Sequence, residues 1–319
     1  MSSPILRDTQ SLVLSSGRIL AFAEYGKPNG YPVVYLHGFP MCRLEGSAFD
    51  KPARRANIRI IAPDRPGMGH SSFVGQRKIL DVAGEVKALA AHLGVQRFAV
   101  LGVSGGTPYA LACAKALPRE MLTGVGVLSG MGSFDQGTMQ VPFASRVTGW
   151  LARNCPTALK VVTDVVVAGL RRLVSWSWVE KKLDKILEEV KKKEDKSIVG
   201  SDEVEGSSEI WTPAESRKKL LRALFEPFAQ GSAGAIQDAA LVSQDWGFEI
   251  EKVTYPIKIW HGAKDVNAPI QWIRSMAKRL PNGKLYEYEE ETHGSMVKHS
   301  GAVFRSLLED RAAHEKKSR

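Results

Sequence analysis

Up to about residue 130, short apolar runs rich in β-branched residues alternate with longer stretches that have helical periodicity. This alternation is typical of crossover units on a largely parallel sheet. The later runs are apolar at both odd and even positions, as expected for strands that are covered on both faces. The pattern predicts strands at 12–14, 19–25, 33–37, 58–62, 98–102 and 125–128, and helices at 80–93 and 107–116.

Between about residues 133 and 244 the strand-like runs give way to amphipathic helical periodicity and a strongly charged helix. We therefore predict one α/β core, formed by residues 1–132 and 245–319, with a helical cap domain inserted at 133–244. Within the insertion, the polar stretch 197–208 has too few apolar side chains to offset the entropy of ordering, which predicts a mobile loop. Later core elements are predicted at 257–260 and 284–288 for strands and near 297–308 for a final helix.

The composition is that of an ordinary globular protein, with 44% hydrophobic and 24% charged residues in a chain of 319. The net charge of +10 could indicate nucleic-acid binding. However, no segment gathers the excess into a basic stripe with interleaved aromatic residues. The lysine run at 191–193 is flanked by acidic residues, which indicates a solvated helix face. We therefore expect no nucleic-acid partner.

Cys42, Cys113 and Cys155 are widely spaced and form no C-x-x-C motif. This spacing argues against a disulfide framework and a thiolate zinc site, and it favours a reducing, cytoplasmic location. The most apolar helical stretch, 161–170, is short and carries a charge, so we expect no stable insertion into a membrane. Peripheral membrane association through the basic surface and the helix at 161–178 is an alternative.

The sharpest candidate for chemistry is GVSGG at 102–106, which lies directly between the apolar run FAVL and the helical sequence TPYALACAKAL. A serine on a tight strand-to-helix turn has strained backbone angles and an exposed hydroxyl, and small residues are needed where strand and helix come close. Ser104 is therefore a candidate nucleophile at the carboxyl edge of the sheet. The alternative is a glycine-rich turn with a capping serine.

A serine hydroxyl needs a base within hydrogen-bond reach and a third group that orients this base. Asp265 comes shortly after the predicted strand 257–260 and offers the orienting carboxylate. His293 comes shortly after the predicted strand 284–288 and offers the base. Loops that follow parallel strands emerge at the same edge of the sheet, so we expect both side chains near Ser104.

The sequence HGFP at 37–40 directly follows a predicted strand and provides a candidate oxyanion site. A tetrahedral intermediate needs two preorganised hydrogen-bond donors, each worth on the order of 3 kcal/mol. The backbone amides of Phe39 and Gly105 are the candidate donors, because Pro40 has no N–H.

Four blocks follow one another along the chain: HGFP, DRPGMGHSS at 64–72, GVSGG, and WHGAKDVNAP followed by ETHGSM. In these blocks the sequence resembles the α/β-hydrolase superfamily, in particular its serine hydrolases with a helical cap. The resemblance implies a mostly parallel, doubly wound sheet, and it implies that the block at 64–72 shapes the pocket floor. It also implies the site residues: Ser104 as nucleophile, Asp265 as acid, His293 as general base, and the amides of Phe39 and Gly105 as oxyanion hole.

Two features leave alternatives for the site residues. The histidine block has T-H-G where many relatives have G-H, and His299 is the other histidine nearby, although it falls inside the predicted final helix. Asp135, after the sixth predicted strand, is the alternative acid, at a position that some relatives use. The chain contains no H-E-x-x-H, Walker loop or G-x-G-x-x-G, so the sequence predicts neither a metal nor another cofactor.

The expected reaction is hydrolysis of an ester, lactone or thioester bond of an apolar small molecule through an acyl-enzyme on Ser104. The tryptophans of the insertion are candidates for a lid over an apolar pocket. They could equally pack the lid on the core or on a second subunit, so a homodimer through the cap is open. These candidates are Trp150, Trp176, Trp178 and Trp211.

Other functions are compatible with the same residues. Carbon–carbon bond hydrolases, cofactor-free perhydrolases, aminopeptidases, and cyclases or acyltransferases of biosynthetic pathways can use the same triad, and the fold does not choose among them. Epoxide hydrolases and dehalogenases share the HGFP type of loop but have an aspartate in the place of Ser104, which argues against them. A non-catalytic ligand-binding receptor on this fold is an alternative of another class. Such proteins usually lose a triad member, whereas all three candidates are present here.

Overall fold

The computed structural model describes residues 7–134, 141–198 and 212–317, and an eight-stranded sheet lies at its centre. The order across the sheet is β1-β2-β4-β3-β5-β6-β7-β8. The strands are β1 (Gln10–Val13), β2 (Ile19–Gly26), β3 (Tyr31–Leu36), β4 (Ile58–Pro63), β5 (Phe98–Val103), β6 (Leu122–Leu128), β7 (Ile257–Gly262) and β8 (Gly283–Tyr288).

The sheet is antiparallel at one edge and parallel elsewhere. β1 pairs antiparallel with β2, and β2 with β4, whereas the pairings from β4 through β3 to β8 are all parallel. This confirms the mostly parallel sheet, and each predicted run forms a strand. The largest difference is in β6, which begins at Leu122 rather than at residue 125, because Leu122 and Gly124 pair with the start of β5.

Helices cover both faces of the sheet, so the doubly wound arrangement is confirmed. They are α1 (Asp50–Arg55), α2 (Val82–His92), α3 (Thr107–Ala116), α4 (Phe143–Asn154), α5 (Pro156–Val174), α6 (Ser177–Ile198), α7 (Pro213–Phe225), α8 (Ala233–Val242), α9 (Ile270–Arg279) and α10 (Ser300–Lys317). Alternate residues of β3 divide between two cores, because side chains on a strand alternate in direction. Val34 and Leu36 pack with α2, α3 and α9, whereas Val33 and Tyr35 pack with α1 and α10.

The chain leaves the sheet after β6 and returns at β7, and the helices α4 to α8 lie between these strands. We call this segment the helical insert. Within it, α4 and α5 both pack on α8. The division into a core and a separate cap domain at 133–244 stays a prediction. Most of the predicted loop 197–208 lies outside the described residues, and its first two residues end α6.

The C-terminal helix differs from the prediction at both ends. Residues 295–299 form a 3-10 turn, and α10 continues beyond residue 308 to Lys317. The apolar residues Val303, Phe304 and Leu307 anchor the helix in the core beside α1. The pattern of apolar positions did not show where the helix would end after them. In the described part of the chain, no helix is both long enough and apolar enough to cross a membrane.

Candidate active site

Ser104 lies on the turn between β5 and α3, where the backbone is strained. Its φ is +50°, in the left-handed region that residues with a β-carbon rarely adopt. A β-carbon on Gly102 would lie 2.6 Å from the carbonyl oxygen of Gly106, and one on Gly106 would overlap the carbonyl oxygen of Leu36. The G-x-S-x-G spacing therefore follows from the close approach of β3, β5 and α3, and the turn presents Ser104 to a cavity.

Asp265 and His293 lie in the loops after β7 and β8. His293 Nε2 is 3.0 Å from Ser104 Oγ, and His293 Nδ1 is 2.7 Å from Asp265 Oδ2. The main chain of this histidine is also held, since the hydroxyl of Ser129 donates a hydrogen bond to its carbonyl oxygen at 3.0 Å. The fold thus brings the three predicted side chains into one connected set of hydrogen bonds.

The carboxylate of Asp265 is buried, and both of its oxygens accept hydrogen bonds. Its Oδ1 accepts the backbone N–H groups of Asn267 and Ala268 at 2.8 and 2.9 Å. Burial raises the pKa of Asp265, but the hydrogen bonds from His293 and from Ala268 outweigh this, so the pKa lies below its usual value. The ionised carboxylate favours a proton on His293 Nδ1, which leaves Nε2 to accept a proton from Ser104.

Two other histidines, at the ends of β3 and β7, bond to the backbone. His37 Nε2 accepts the N–H of Arg65 at 3.2 Å, and His261 Nε2 lies 2.8 Å from the carbonyl oxygen of Ala268. Burial lowers the pKa of both histidines, and the Arg65 guanidinium lowers that of His37 further. Both histidines therefore bind the backbone, and His261 Nε2 also lies 3.3 Å from Asp265 Oδ2.

The HGFP loop lies against the nucleophile turn. A β-carbon on Gly105 would lie 2.8 Å from Phe39 Cβ and 3.0 Å from Phe39 N, so the two predicted amide donors are neighbours. Both residues line the same cavity as Ser104. Within the described residues the N–H of Phe39 donates no hydrogen bond, which leaves it available to a ligand.

Glu45 is a cavity residue that no sequence motif indicated. Its Oε2 accepts the N–H of Gly38 at 2.6 Å and the hydroxyl of Tyr35 at 2.9 Å. A β-carbon on Gly38 would lie 3.0 Å from Glu45 Oε1 and 3.3 Å from Ser104 Cβ, so the carboxylate and the serine flank the same glycine. Burial raises the pKa of Glu45 above its usual value, although the two hydrogen bonds oppose this shift.

A buried ion-pair network ties the HGFP loop to the helical insert. Arg65 donates hydrogen bonds to the carbonyl oxygens of His37 and Gly38, the latter at 3.0 Å. The same guanidinium pairs with Asp238 of α8 at 2.8 Å, and Arg77 pairs with the other carboxylate oxygen at 2.8 Å. Burial raises the pKa of Asp238, but the two guanidiniums outweigh it and hold the pKa well below its usual range.

The block at 64–72, which was expected to shape the pocket floor, does not line the cavity itself. Its residue Arg65 instead acts through the HGFP loop, whose carbonyl groups it binds. This expectation is therefore corrected. The glycine-rich turn could be recognised from its sequence. The pairing of Arg65 in this turn with Asp238 of α8, 173 positions later, could not.

A cavity of about 650 Å³ opens beside Ser104. The core and the helical insert both contribute to its walls, which are mostly apolar. Trp272 of α9 is the largest of these side chains; its ring meets that of Phe134 edge to face, with centroids 5.2 Å apart. The apolar lining includes Phe39, Phe49, Val103, Leu128, Met131, Phe134, Val242 and Trp272, and the polar lining includes Glu45, Ser145, Thr148, Ser243 and Asn267.

Three of the candidate tryptophans, Trp150, Trp176 and Trp178, do not line this cavity. Trp150, Trp176 and Trp178 are 54%, 49% and 59% exposed, and Trp211 lies outside the described residues. The expected lid lining is therefore corrected for the first three. Helix α4 turns small residues such as Ala144 and Thr148 to the cavity and its large apolar residues outward. Sequence alone did not reveal which face of the helix would be inside.

The alternative site residues are resolved in part. His299 Nε2 lies 3.1 Å from a carboxylate oxygen of Glu291, and its ring packs on that of Tyr288 with centroids 4.2 Å apart. Within the described residues, His293 is the histidine that hydrogen-bonds to Ser104. The alternative acid Asp135 lies outside the described residues.

A family model described as alpha/beta hydrolase fold matches residues 31–300. Among curated proteins, the chain is similar to the dihydrolipoyllysine-residue acetyltransferase component of the acetoin cleaving system of Pseudomonas putida. The identity is 38% over 106 residues, which cover 33% of this chain and 28% of that protein. It is also similar to a proline iminopeptidase of Xanthomonas citri, with 36% identity over 110 residues, which cover 33% of this chain and 34% of that protein. The chain spans about a third of the length of these relatives.

Among solved structures, a hydrolase from Pseudomonas aeruginosa PA01 matches with a TM-score of 0.61. The match covers 95% of this chain and 98% of that chain at 16% sequence identity. At this identity the likeness establishes the fold and leaves the chemistry to the site residues.

Proposed function

The chain belongs to the α/β-hydrolase fold family, and from this premise we propose that it is a serine hydrolase that cleaves ester-like bonds of apolar small molecules. The observation that carries the proposal is the connected set of hydrogen bonds from Asp265 through His293 to Ser104, at the wall of the cavity. An imidazole nitrogen within reach of a serine hydroxyl, oriented by a carboxylate, makes that hydroxyl nucleophilic.

The acylation step follows from these positions. His293 Nε2 takes the proton of Ser104 as Oγ attacks the substrate carbonyl, and the N–H groups of Phe39 and Gly105 hold the oxyanion that forms. Collapse of the tetrahedral intermediate breaks the bond to the leaving alcohol, which receives the proton from His293. Asp265 stabilises the imidazolium during this step.

Deacylation uses the same groups in the reverse order. A water molecule takes the place of the leaving alcohol, and His293 removes its proton as it attacks the acyl-enzyme carbonyl. The second tetrahedral intermediate uses the same oxyanion donors, and its collapse returns the proton to Ser104. No further co-reactant is needed for this cycle.

Two polar groups support the position of the oxyanion loop. Glu45 accepts the N–H of Gly38, and Arg65 donates to the carbonyl oxygens of His37 and Gly38. The His37–Gly38 peptide is therefore held at both its N–H and its C=O, and the Gly38–Phe39 peptide is held at its C=O, which leaves the Phe39 N–H available. Such fixed donors stabilise a developing charge better than mobile ones, because no reorganisation is needed at the moment of reaction.

The cavity supports a small, largely apolar substrate. Its volume of about 650 Å³ lies within the range of small-molecule sites, and its aromatic and aliphatic walls favour an apolar acyl or alcohol group. Carboxylic esters, lactones and thioesters share the electrophilic carbonyl that this mechanism requires. We therefore expect the rate to increase with acyl chain length until the chain fills the cavity.

A second candidate function is the removal of an N-terminal residue from a peptide. One of the relatives is named proline iminopeptidase, and Glu45 places a carboxyl group beside Ser104. Within the described residues, Glu45 Oε1 accepts no hydrogen bond. An ammonium group that bound there would favour the ionised carboxylate, because a cation within contact distance lowers the pKa of an acid.

A substrate panel tests these two proposals. p-Nitrophenyl esters of increasing chain length, proline p-nitroanilide and a β-diketone are offered to the wild type and to Ser104→Ala. Ester hydrolysis that depends on Ser104 supports the first proposal, and preferential anilide cleavage supports the second. A fluorophosphonate probe that leaves the folded wild type unlabelled would overturn both. Saturable ester binding without any product would favour the receptor alternative.

A further inference from the structure

The helical insert has a large exposed apolar surface outside the cavity. In the described residues, more than half of the exposed large apolar side chains lie within 143–178. Helix α5 contributes most of them, and none of its 19 residues is buried. We call this surface the outer insert face and define it by Val161, Val162, Val165, Val166, Leu170 and Leu173.

The spacing of these residues makes the outer insert face continuous. Side chains three or four positions apart are neighbours on a helix, and these separations link all six residues into one broad stripe along α5. Trp176 and Trp178 follow at the corner between α5 and α6, with ring centroids 6.3 Å apart. Contiguous apolar surface of this kind marks a site of interaction with a protein or a membrane.

The unpaired charges within residues 141–187, around the outer insert face, are positive. In residues 141–187 the three acidic side chains, Asp164, Glu180 and Asp184, are all paired within the protein. Asp164 accepts hydrogen bonds from Lys160 and from the N–H of Ser232, and the other two acids lie against Arg217. No acidic group in this range is left unpaired, and the next acidic residues, Glu188 and Glu189, lie on α6 three and four positions after Lys185.

Five exposed cations of the same range have no such partners, whereas Arg153 and Arg171 donate hydrogen bonds to backbone carbonyl oxygens. Arg146, Arg172, Lys181, Lys182 and Lys185 form no hydrogen bond or ion pair through their side chains with any described residue. Long basic side chains next to an apolar helix stripe and to tryptophans are typical of helices that lie in a membrane interface. A surface with this charge is complementary to anionic lipid headgroups.

A second copy of the chain fits this surface less well. A two-fold dimer brings the same patch of both subunits together, so a dimer through α5 would face like charges with like charges. Arg172 lies among the apolar residues of the stripe, and no unpaired acid in 141–187 would meet it. Charge complementarity therefore favours a lipid surface over self-association.

We propose that the outer insert face docks on an anionic lipid bilayer and lies at its interface without crossing it. The absence of a membrane-crossing helix in the described residues is consistent with this mode. Val and Leu side chains enter the boundary between headgroups and acyl chains, the tryptophans lie at headgroup level, and the cations contact the phosphates. The affinity has an apolar part and an electrostatic part, and salt weakens only the second.

Helix α4 connects this surface with the cavity. Its residues Ala144 and Thr148 line the cavity, whereas Phe143, Val147 and Trp150 of the same helix are exposed. The helix is therefore a wall between the cavity and the side of the insert that carries exposed apolar residues. If the proposed function is correct, docking brings this wall close to apolar substrates dissolved in the bilayer.

Vesicle co-sedimentation tests the proposal. The full chain is mixed with vesicles of phosphatidylcholine alone or of phosphatidylcholine and phosphatidylglycerol in equal parts, at low and at high salt. We expect binding to the mixed vesicles that decreases as salt rises, and little binding to phosphatidylcholine alone. Absence of binding to the anionic vesicles at low salt would overturn the proposal.

Matched variants locate the binding surface. Val162→Glu places a negative charge within the stripe, and Val13→Glu places the same charge on an exposed valine of β1. We expect Val162→Glu to lower the vesicle partition coefficient more than about tenfold and Val13→Glu to leave it unchanged. Circular dichroism of both variants checks the fold. An equal loss in both variants would show that the outer insert face is not the contact.

The basic residues are tested in the same way. Replacing Arg172 and Lys182 by glutamine should reduce anionic-vesicle binding and flatten its salt dependence. Replacing Lys51 and Lys87, exposed lysines of α1 and α2, should have a smaller effect. If the two double variants behave alike, the attraction comes from the net charge of the chain and the proposal of a specific surface fails.

Analytical ultracentrifugation separates the lipid surface from a second copy. A wild type that is dimeric without vesicles and that Val162→Glu converts to a monomer would overturn the proposal in favour of self-association. The vesicle measurement needs no turnover and is repeated with Ser104→Ala. Binding by this variant keeps the docking proposal separate from the fate of the proposed hydrolase activity.

Discussion

Asp265 and Asp238 are two buried aspartates whose pKa values both lie below the usual value, yet their surroundings differ. Asp265 is paired with the imidazole of His293 and with two backbone N–H groups, whereas Asp238 is paired with the guanidiniums of Arg65 and Arg77. An imidazole can release and regain a proton near neutral pH, and a guanidinium cannot.

Under the proposed function, the difference separates a carboxylate that takes part in the reaction from one that has a structural role. A buried carboxylate next to an imidazole can stabilise the positive charge that forms on the imidazole during a reaction. A buried carboxylate between two guanidiniums holds two elements together, here the HGFP loop through Arg65 and helix α8 through Asp238 itself. A depressed pKa alone therefore does not identify a catalytic acid, because the partner decides its role.

The largest expected effect is the loss of turnover in Ser104→Ala. This variant lacks the hydroxyl at the end of the hydrogen bonds that run from Asp265 through His293 to Ser104. The value of kcat for a p-nitrophenyl ester should therefore fall by about 10⁶-fold. The melting temperature should stay close to that of the wild type, because the change removes one oxygen atom at the cavity surface. A variant that keeps wild-type turnover would show that Asp265 and His293 serve structure, as Asp238 does.

The next effect is that of Asp265→Asn. The substitution keeps the shape but allows the wrong tautomer of His293, so kcat should fall by about 10⁴-fold while KM changes little. Steady-state kinetics on the same ester measure both parameters. A loss of stability without a specific loss of kcat would place Asp265 in the same class as Asp238.

Asp238→Asn should act on stability first. It leaves the guanidiniums of Arg65 and Arg77 buried and without their carboxylate, which costs about 3–5 kcal/mol of unfolding free energy. Urea denaturation measures this change, and Glu249→Gln, at an exposed ion pair with Lys252, is the matched control. We expect the control to lose less than about 1 kcal/mol. Similar losses in both variants would contradict the structural role.

The dependence of the unfolding free energy on pH should reflect the lowered pKa values of Asp265 and Asp238. A folded pKa below the unfolded value gives stability that is present above the unfolded pKa and is lost as pH falls through the folded one. The unfolding free energy of the wild type should therefore decrease below about pH 4. Asp238→Asn should lose less over the same range, because one of the titrating groups is missing. A steeper loss in this variant would contradict the assignment.

The smallest effect is expected for Glu45→Gln. The pKa of Glu45 is raised, whereas the pKa values of the two aspartates are lowered. Ionisation of Glu45 therefore lowers the unfolding free energy as pH rises above the pKa of this group in the unfolded chain. Glutamine removes this penalty and keeps an acceptor for the N–H of Gly38. Activity on a neutral ester should change less than about tenfold, with a flatter stability profile above about pH 4, the pKa of glutamate in the unfolded chain. A larger loss limited to proline p-nitroanilide would favour the peptidase candidate.

The strands and the nucleophile turn could be predicted because their signals are local. Runs that are apolar at both parities form strands wherever both faces are covered, and Gly102 and Gly106 report a close approach within a few residues. The order of the loops then places Asp265 and His293 near Ser104, since parallel strands end at one edge of a sheet.

The contacts of Glu45, of Asp238 and of the insert tryptophans could not be predicted in this way. Glu45 has no motif around it, and the pair of Arg65 and Asp238 joins positions 173 apart. The residues before and after Trp150 have the same helical periodicity. The sequence therefore did not show which face of α4 would meet the cavity. Such facts depend on how elements pack, which sums many weak contacts along the whole chain.

The charge of the insert shows the same limit. Counted along the sequence, acidic residues such as Asp164 and Asp184 offset the basic ones and leave no basic stripe. In the folded chain these acids are paired with Lys160 and Arg217, while the cations beside the apolar stripe stay exposed. Composition cannot show this difference between paired acids and exposed cations, because it has no information on which face of a helix carries each side chain.

For this protein, the sequence alone determined the sheet, the strained serine turn and the order of the candidate site residues, since each depends on neighbours within a few positions or on the direction of parallel strands. The tertiary structure decided which carboxylate meets an imidazole, which meets guanidiniums, and which helix face remains in solvent. Those outcomes depend on the three-dimensional distances between residues far apart in the chain, and burial makes such distances decisive by raising the free-energy cost of any charge left without a partner.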